Sequence, residues 1–240
     1  MTDTSRIDAP SDVPRAERLT QGQLRALVGG ASQSPISSRA IQLYIKRCLD
    51  LVLSISGLAF LAPLLIIIAI CIKCESRGPV FFCQDREGLH GRIFRIFKFR
   101  SMWVTYEDRS GIAQTVAGDG RITRMGRFIR RTSIDELPQL INVVLGHMSL
   151  VGPRPHVPGM LAAGIRYDQL VPTYSLRHQV RPGITGWAQA CGLRGPTKDR
   201  ARAIARIQHD LEYVQNFSLL LDFKILVMTL RHEFLSGRAD

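Results

Sequence analysis

Two carboxylates stand side by side in the stretch Arg130-Arg131-Thr132-Ser133-Ile134-Asp135-Glu136-Leu137-Pro138-Gln139, directly after two arginines. The Ser133-x-x-Glu136 spacing is that of a capping box and predicts both acids in the first turn of a helix. A helix N-terminus carries partial positive charge, which keeps carboxylates ionised and attracts phosphate. Such surroundings suit a nucleophilic Asp135, with Glu136 orienting it or binding a metal, opposite a phosphorylated substrate. They equally suit a structural pair in which Glu136 caps the helix and Asp135 complements its dipole.

The charge around this stretch is lopsided. The 240 residues carry a formal net charge of +12. Residues 1–38 hold four Arg and four acidic residues and contribute nothing to it. Between Arg77 and Arg131 there are twelve basic and five acidic residues, a net of +7. That balance predicts a polyanionic partner: nucleic acid, anionic lipid headgroups or a phosphorylated substrate. The five cysteines, Cys48, Cys71, Cys74, Cys83 and Cys191, include one CxxC pair but no second pair or His pair at zinc spacing. They read as reduced structural thiols of a cytoplasmic environment.

The elements that must position the acids follow from hydropathy and turn residues. Residues 1–38 are polar and read as a disordered tail, with only a weak helical stretch around Leu19–Val28. Leu51 to Ile72 is a run of 22 uncharged residues, about 33 Å as a straight helix and long enough to cross a bilayer core. Pro63 interrupts it, freeing the carbonyl of Ala59, and basic residues flank both ends: Arg39, Lys46 and Arg47 before, Lys73 and Arg77 after. The positive-inside rule then favours a re-entrant pair of half-helices over a span. Val80 to Phe99 reads as a β-hairpin turning at Gly88 and Gly91, and residues 104–120 as a polar loop. Arg121 to Arg131 reads as a basic amphipathic helix, with Ile122, Met125, Phe128 and Ile129 on one face, suited to a membrane interface or a small core. The Asp-Glu helix should run from about Ile134 to Leu145. Residues 158–180 look partly helical, Pro182 to Trp187 turn-rich, Arg200 to Val214 helical. A very apolar helix from Leu219 to Phe234 lies either in the core or against lipid. The fold class is α+β, mostly helical.

The motifs occur in an order that resembles the bacterial sugar transferases of the monotopic phosphoglycosyl transferase superfamily. They are Lys46-Arg47-x-x-Asp50, Gly78-Pro79 through Gln84-x-Arg86-x-Gly88, Lys98 to Met102, and Asp119-x-Arg121-Ile122-Thr123. The Asp-Glu stretch through Asn142 follows, then Met148 to Pro155 and Arg181 to Gln189. The resemblance covers about residues 46–235. It implies a re-entrant membrane helix hairpin within residues 39–77, on the cytoplasmic face of the inner membrane, and a catalytic domain over residues 78–240. It implies transfer of a hexose 1-phosphate from a UDP-hexose to undecaprenyl phosphate, releasing UMP, as the priming step of exopolysaccharide synthesis. By the same resemblance Asp135 is the nucleophile that forms a phosphosugar ester. Glu136 is associated with Mg²⁺, while Lys98, Arg130 and Arg154 bind phosphate. No nucleic-acid partner is implied, membrane lipids are, and a homodimer is left open.

Three departures from the family pattern stand out. Ala62 replaces a Ser before the helix-breaking Pro63, so Ser56 or another group must satisfy the freed carbonyl. His147 stands where many members have an acid. Residues 190–196 depart from the common sequence after Gln189, which bears on donor choice. Physical chemistry agrees with the enzyme reading. Displacing UMP calls for charge neutralisation, which cations and Mg²⁺ supply, and Mg²⁺ needs only one or two carboxylates beside substrate phosphates. The alternative is a non-catalytic module that binds anionic lipid or nucleic acid.

Overall fold

The computed structural model describes residues 36–106, 118–195 and 199–236. Residues 1–35 of the expected tail, most of the 104–120 loop and part of the segment after Gln189 lie outside them, while residues 36–38 of that tail begin the first helix. Helix α1, Ile36–Glu75, runs 40 residues with Pro63 inside it and no interruption there, so the expected break into two half-helices at Pro63 does not form. Strands β1 (Phe81–Glu87) and β2 (Ile93–Phe99) follow. Next come α2 (Arg124–Arg131), a 3₁₀ turn over Ile134–Glu136, α3 (Gln139–Val144) and β3 (Ser149–Val151). A short antiparallel pair, β4 (Leu161–Ala162) and β5 (Ile165–Arg166), leads into α4 (Tyr167–Leu170) and a 3₁₀ turn over Tyr174–Gln179. The described residues end with β6 (Gly183–Thr185), α5 (Trp187–Ala190), α6 (Arg200–Gln215) and α7 (Leu219–Ser236).

The hairpin forms where β-prone residues flank a glycine turn. β1 and β2 pair antiparallel with Phe81 opposite Phe99 and Glu87 opposite Ile93. Alternation along β2 buries Phe94 and Ile96 and brings Lys98 to the same face. The register then sets Arg86 beside Phe94 and Gln84 beside Ile96 on that face. The turn needs left-handed backbone at His90 (φ 55) and Gly91 (φ 73). Phe94 and Ile96 pack on Val143 and Met148, which seats α3 against the sheet.

The second sheet does not appear in a hydropathy reading. β3 and β6 pair parallel, Ser149 opposite Gly183 and Val151 opposite Thr185. Three residues per strand are too few to show a period. Glycine makes the approach feasible: a Cβ on Gly183 would stand 2.1 Å from the backbone N of Gly152. On the far side, Ala162, Tyr167, Val171, Tyr174, Ala203 and Ile207 form a separate small core between α4 and α6.

Helix α1 is fixed to the rest of residues 40–240 at both ends. Toward its start Lys46 Nζ pairs with Asp222 of α7 at 2.6 Å. Arg47 donates to the last carbonyls of α3, Val143 (2.7 Å) and Val144 (3.1 Å), and Asp50 accepts the Leu150 N–H at 3.0 Å. Toward its end Ile68 and Ile72 pack on Phe99 and Ile129. Arg100, 2% exposed, donates to the Ser76 carbonyl at 2.8 Å and the Arg77 carbonyl at 3.0 Å. Between these anchors Val52, Leu53, Ile55, Phe60, Ile66, Ile67 and Ile70 stay exposed. Ser56 donates to the Val52 carbonyl, one turn back, and so does not serve the Ala59 carbonyl that Pro63 frees.

Two expectations change in detail. α2 begins at Arg124 behind a Thr123 cap whose Oγ1 accepts the Gly126 N–H at 2.9 Å. Its expected apolar face splits, because Ile129 is fully buried while Phe128 is 51% exposed. The helix from Leu219 divides its two apolar surfaces. Ile225 is buried in the core, and Leu220 and Phe223 are exposed at 78% and 64%.

Replacing Asp50 by Ala removes the acceptor of the partly buried Leu150 N–H. It is expected to lower unfolding stability by about 1–3 kcal/mol, measured by thermal unfolding in lipid nanodiscs. Unchanged stability would mean that this bond does not anchor α1.

Candidate active site

The Ser133-x-x-Glu136 capping box does not form. Ser133 adopts a left-handed conformation (φ 53) and its side chain makes no capping bond, so the Glu136 N–H reaches the Ser133 carbonyl instead, at 3.2 Å. Pro138 explains why no single helix runs from Ile134. It has no N–H to donate to the Ile134 carbonyl, and Leu137 takes that carbonyl at 3.1 Å in 3₁₀ fashion. Asp135 and Glu136 therefore sit in a tight turn between α2 and α3. The charges that hold them come from side chains of other elements.

Three of the expected residues meet directly. Lys98, at the end of β2, donates to Glu136 Oε1 at 2.6 Å. Arg154, in the turn after β3, grips the same carboxylate with both Nη groups, one bond to Oε2 measuring 3.1 Å and the other to Oε1. Burial alone would raise the Glu136 carboxyl, but Arg154 and Lys98 hold it well below its usual range. Burial lowers the Lys98 ammonium against the pull of Glu136, whereas Glu136 raises the Arg154 guanidinium.

Asp135 differs from its neighbour. It is 9% exposed, and burial pushes its carboxyl up to about 6, with Lys98 opposing and Glu136 reinforcing the shift. Arg130 lies close enough to oppose the shift too, yet its Nη1 turns to Ser101 Oγ at 3.4 Å. Among the described residues Arg130 makes no ion pair with either carboxylate. One residue that sequence reasoning left without a role belongs here. Arg86, on the inward face of β1, is lowered to about 10 by burial and by the neighbouring Arg154. Strand alternation together with the Gln84-x-Arg86 spacing was the signal that could have found it. His147 lies against the Phe94 ring, 5.7 Å between centroids.

Residues 41–236 match the family model described as bacterial sugar transferase. The chain belongs to the bacterial sugar transferase family. This sugar transferase is an enzyme of the phosphoglycosyl transferase class. It is 52% identical over 198 residues to the exopolysaccharide production protein PSS of Rhizobium leguminosarum bv. phaseoli, covering 82% of this chain and 99% of that protein. It is 50% identical over 194 residues to the undecaprenyl-phosphate glucose phosphotransferase of Komagataeibacter xylinus, 81% of this chain and 36% of that one. It is 45% identical over 195 residues to the UDP-glucose:undecaprenyl-phosphate glucose-1-phosphate transferase of Escherichia coli (strain K12), 81% of this chain and 41% of that one. The chain thus spans nearly all of the first relative and well under half of the other two.

Asp135 and Glu136 offer two adjacent oxygen donors of the hard kind, and among the described residues no group of three or more His, Cys, Asp or Glu could hold a metal. A Mg²⁺ here would need phosphate and water for its remaining ligands. Glu136 could join only by exchanging one of its two cationic partners.

The folded protein keeps the Asp135 proton up to about pH 6, while the unfolded chain releases it near its ordinary value of 3.8. Stability from this group is complete below pH 3.8 and is lost as pH rises through 6. Asp135→Asn, which never ionises, is expected to be more stable than the native protein above pH 6, by roughly 1–3 kcal/mol. The gain should vanish below pH 4. Unfolding at pH 4, 6 and 8 checks this, and a variant less stable than native at pH 8 refutes it.

Proposed function

We propose that this sugar transferase moves glucose 1-phosphate from UDP-glucose to undecaprenyl phosphate, releasing UMP, through a phosphosugar ester on Asp135, as the first step of exopolysaccharide assembly. The names of the similar proteins support the donor, the acceptor and the context. The observation that carries the mechanism is the unequal carboxylate pair: Glu136 fixed as an anion between Lys98 and Arg154, Asp135 buried and poised near pH 6. Lys98, Arg86, Arg130 and Arg154 against two carboxylates leave a local charge of +2. The two phosphodiester groups of a UDP-sugar carry −2.

Bond changes then balance in two displacements. An Asp135 carboxylate oxygen attacks the phosphorus that bears the sugar, and the bridging P–O bond to UMP breaks. A phosphate oxygen of the acceptor next attacks the same phosphorus, the Asp135–phosphorus bond breaks, and the carboxylate returns. Splitting the reaction lets a soluble donor and a lipid acceptor use one site in turn. Arg154 and Lys98 would shift from Glu136 onto phosphate oxygens as the donor arrives, since guanidinium forks phosphate as well as carboxylate. Glu136, with Asp135 beside it, would then hold Mg²⁺, which supplies further neutralisation of phosphate charge.

The protein is proposed to work on one face of the membrane, the cytoplasmic one. The apolar stretch of α1 is long enough to span, with only 11% of it buried. Yet Lys46, Arg47 and Asp50 near one end and Ser76 and Arg77 past the other contact the same domain. A straight span from 46 to 76, about 45 Å, would place those groups on opposite sides of the bilayer. A helix that enters and leaves the membrane on one face would keep them together.

Radiolabelled UMP is expected to exchange into UDP-glucose with Mg²⁺ and no lipid acceptor, and Asp135→Asn is expected to abolish this. Exchange should rise with pH through about 6, as the carboxylate forms, and stop on chelation by EDTA. Full UMP release without exchange would replace the covalent route by direct transfer. For topology, Cys48 and Cys74 flank the apolar run and are exposed. In single-cysteine variants an impermeant maleimide should label both from the cytoplasmic side only, and labelling of one from each side would establish a span.

A further inference from the structure

Four consecutive carbonyls, Pro153 to His156, are each taken by a donor from outside the segment. The Gly183 N–H of β6 reaches Pro153 at 3.0 Å, and the Glu87 N–H of β1 reaches His156 at 2.9 Å. Arg86 Nη1 reaches Pro155 at 3.1 Å. The Arg154 carbonyl accepts from Arg177 Nη2 at 2.5 Å. The segment depends on outside donors because Pro153 and Pro155 have no N–H with which to build a ladder of its own.

Arg177 is held as tightly as the carbonyl it serves. Its side chain is 1% exposed and that of its partner Asp210, on α6, is 3% exposed. Nε and Nη2 both donate to Asp210 Oδ2, at 3.1 and 2.7 Å. The guanidinium also lies 5.3 Å from the centroid of the Tyr174 ring. Stability does not require a pair buried this deeply, since apolar side chains of similar volume often serve as well or better. What an apolar side chain cannot do is donate to the Arg154 carbonyl.

We infer that Arg177, oriented by Asp210, is a positioning residue that fixes the backbone of Arg154 so that its guanidinium meets the phosphate-binding site. The inference rests on the reading of that site as one that transfers a phosphosugar. Arg177 acts through Arg154: its bonds run to Asp210, to the Tyr174 hydroxyl at 3.5 Å and to the Arg154 carbonyl, and the Arg154 side chain extends from there to Glu136. Deep burial of Arg177 and Asp210 leaves this link from α6 to the catalytic turn with no freedom to relax.

The test uses the full chain in nanodiscs with Mg²⁺, UDP-glucose and undecaprenyl phosphate, reading UMP release. Arg177→Lys keeps the charge facing Asp210 but lacks the fork that serves two acceptors at once. It should lower kcat roughly ten- to a hundredfold, with a much smaller change in KM for UDP-glucose. The same substitution should cause little further loss when added to Arg154→Ala, because the guanidinium it positions is gone. Asp210→Asn, which preserves shape, should show the same pattern more weakly and serves if Arg177→Lys does not fold. Native turnover in both variants overturns the inference, and so does an equal loss in both backgrounds, the mark of a purely structural role. A native protein that releases no UMP overturns the functional reading, and this role with it.

Discussion

The carboxylate of Glu136 is the point on which the rest of the site depends. Its side chain is only 20% exposed. Taking a carboxylate largely out of water is costly, so such an anion persists only where fixed cations surround it. Here the two cations come from distant parts of the chain, Lys98 at the end of a hairpin strand and Arg154 in a proline turn. The same bonds that keep Glu136 ionised tie β2, the 134–136 turn and the 152–156 segment into one constellation. They also leave Asp135, one residue away, with less charge compensation than its burial demands, which is why its carboxyl is held up to about 6. Two adjacent acids with opposite shifts follow from one asymmetry in where the cations point.

That constellation needs rigid supports, and these are backbone contacts more than apolar packing. The buried hydrophobic residues fall into several small clusters. Close approaches that only glycine permits, Gly152 against Gly183 and Gly126 against Ser101, bring chain segments nearer than side chains would allow. Buried arginines then cap carbonyls that no regular element satisfies: Arg100 at the end of α1, Arg177 at Arg154. A small domain with little apolar interior can hold a precise site this way, because each such bond is costly to leave unmade.

The outer surface carries a second message. Exposed Phe60, Ile66 and Ile70 on α1, Phe128 on α2, and Leu220 and Phe223 on α7 exceed what an aqueous surface ordinarily tolerates. Arg124, Arg127 and Arg131 lie exposed on the same short helix as Phe128. Apolar side chains beside exposed guanidinium groups are what an interface of acyl chains and anionic headgroups would cover.

The sequence by itself determined the ordered motifs, the long apolar run though not its unbroken course through Pro63, the glycine-turned hairpin and the identity of the two adjacent acids. These are legible because each rests on local chemistry: a run of uncharged residues, a period of two, a turn glycine, a carboxylate beside arginines. It misjudged the capping box, since the φ of Ser133 and the missing N–H of Pro138 together select a 3₁₀ turn where spacing suggested a helix. Arg86 acquired a place only when strand register faced it inward, and the parallel pair of β3 and β6 is too short to leave a periodic trace. Nothing local in the sequence links Arg177 to Asp210, 33 positions apart, or either to the carbonyl of Arg154. Which acid is held as an anion and which is pushed up to about 6 was decided by the tertiary structure alone. Burial and the direction of three or four side-chain charges set those ionisations, and both are properties of the assembled chain.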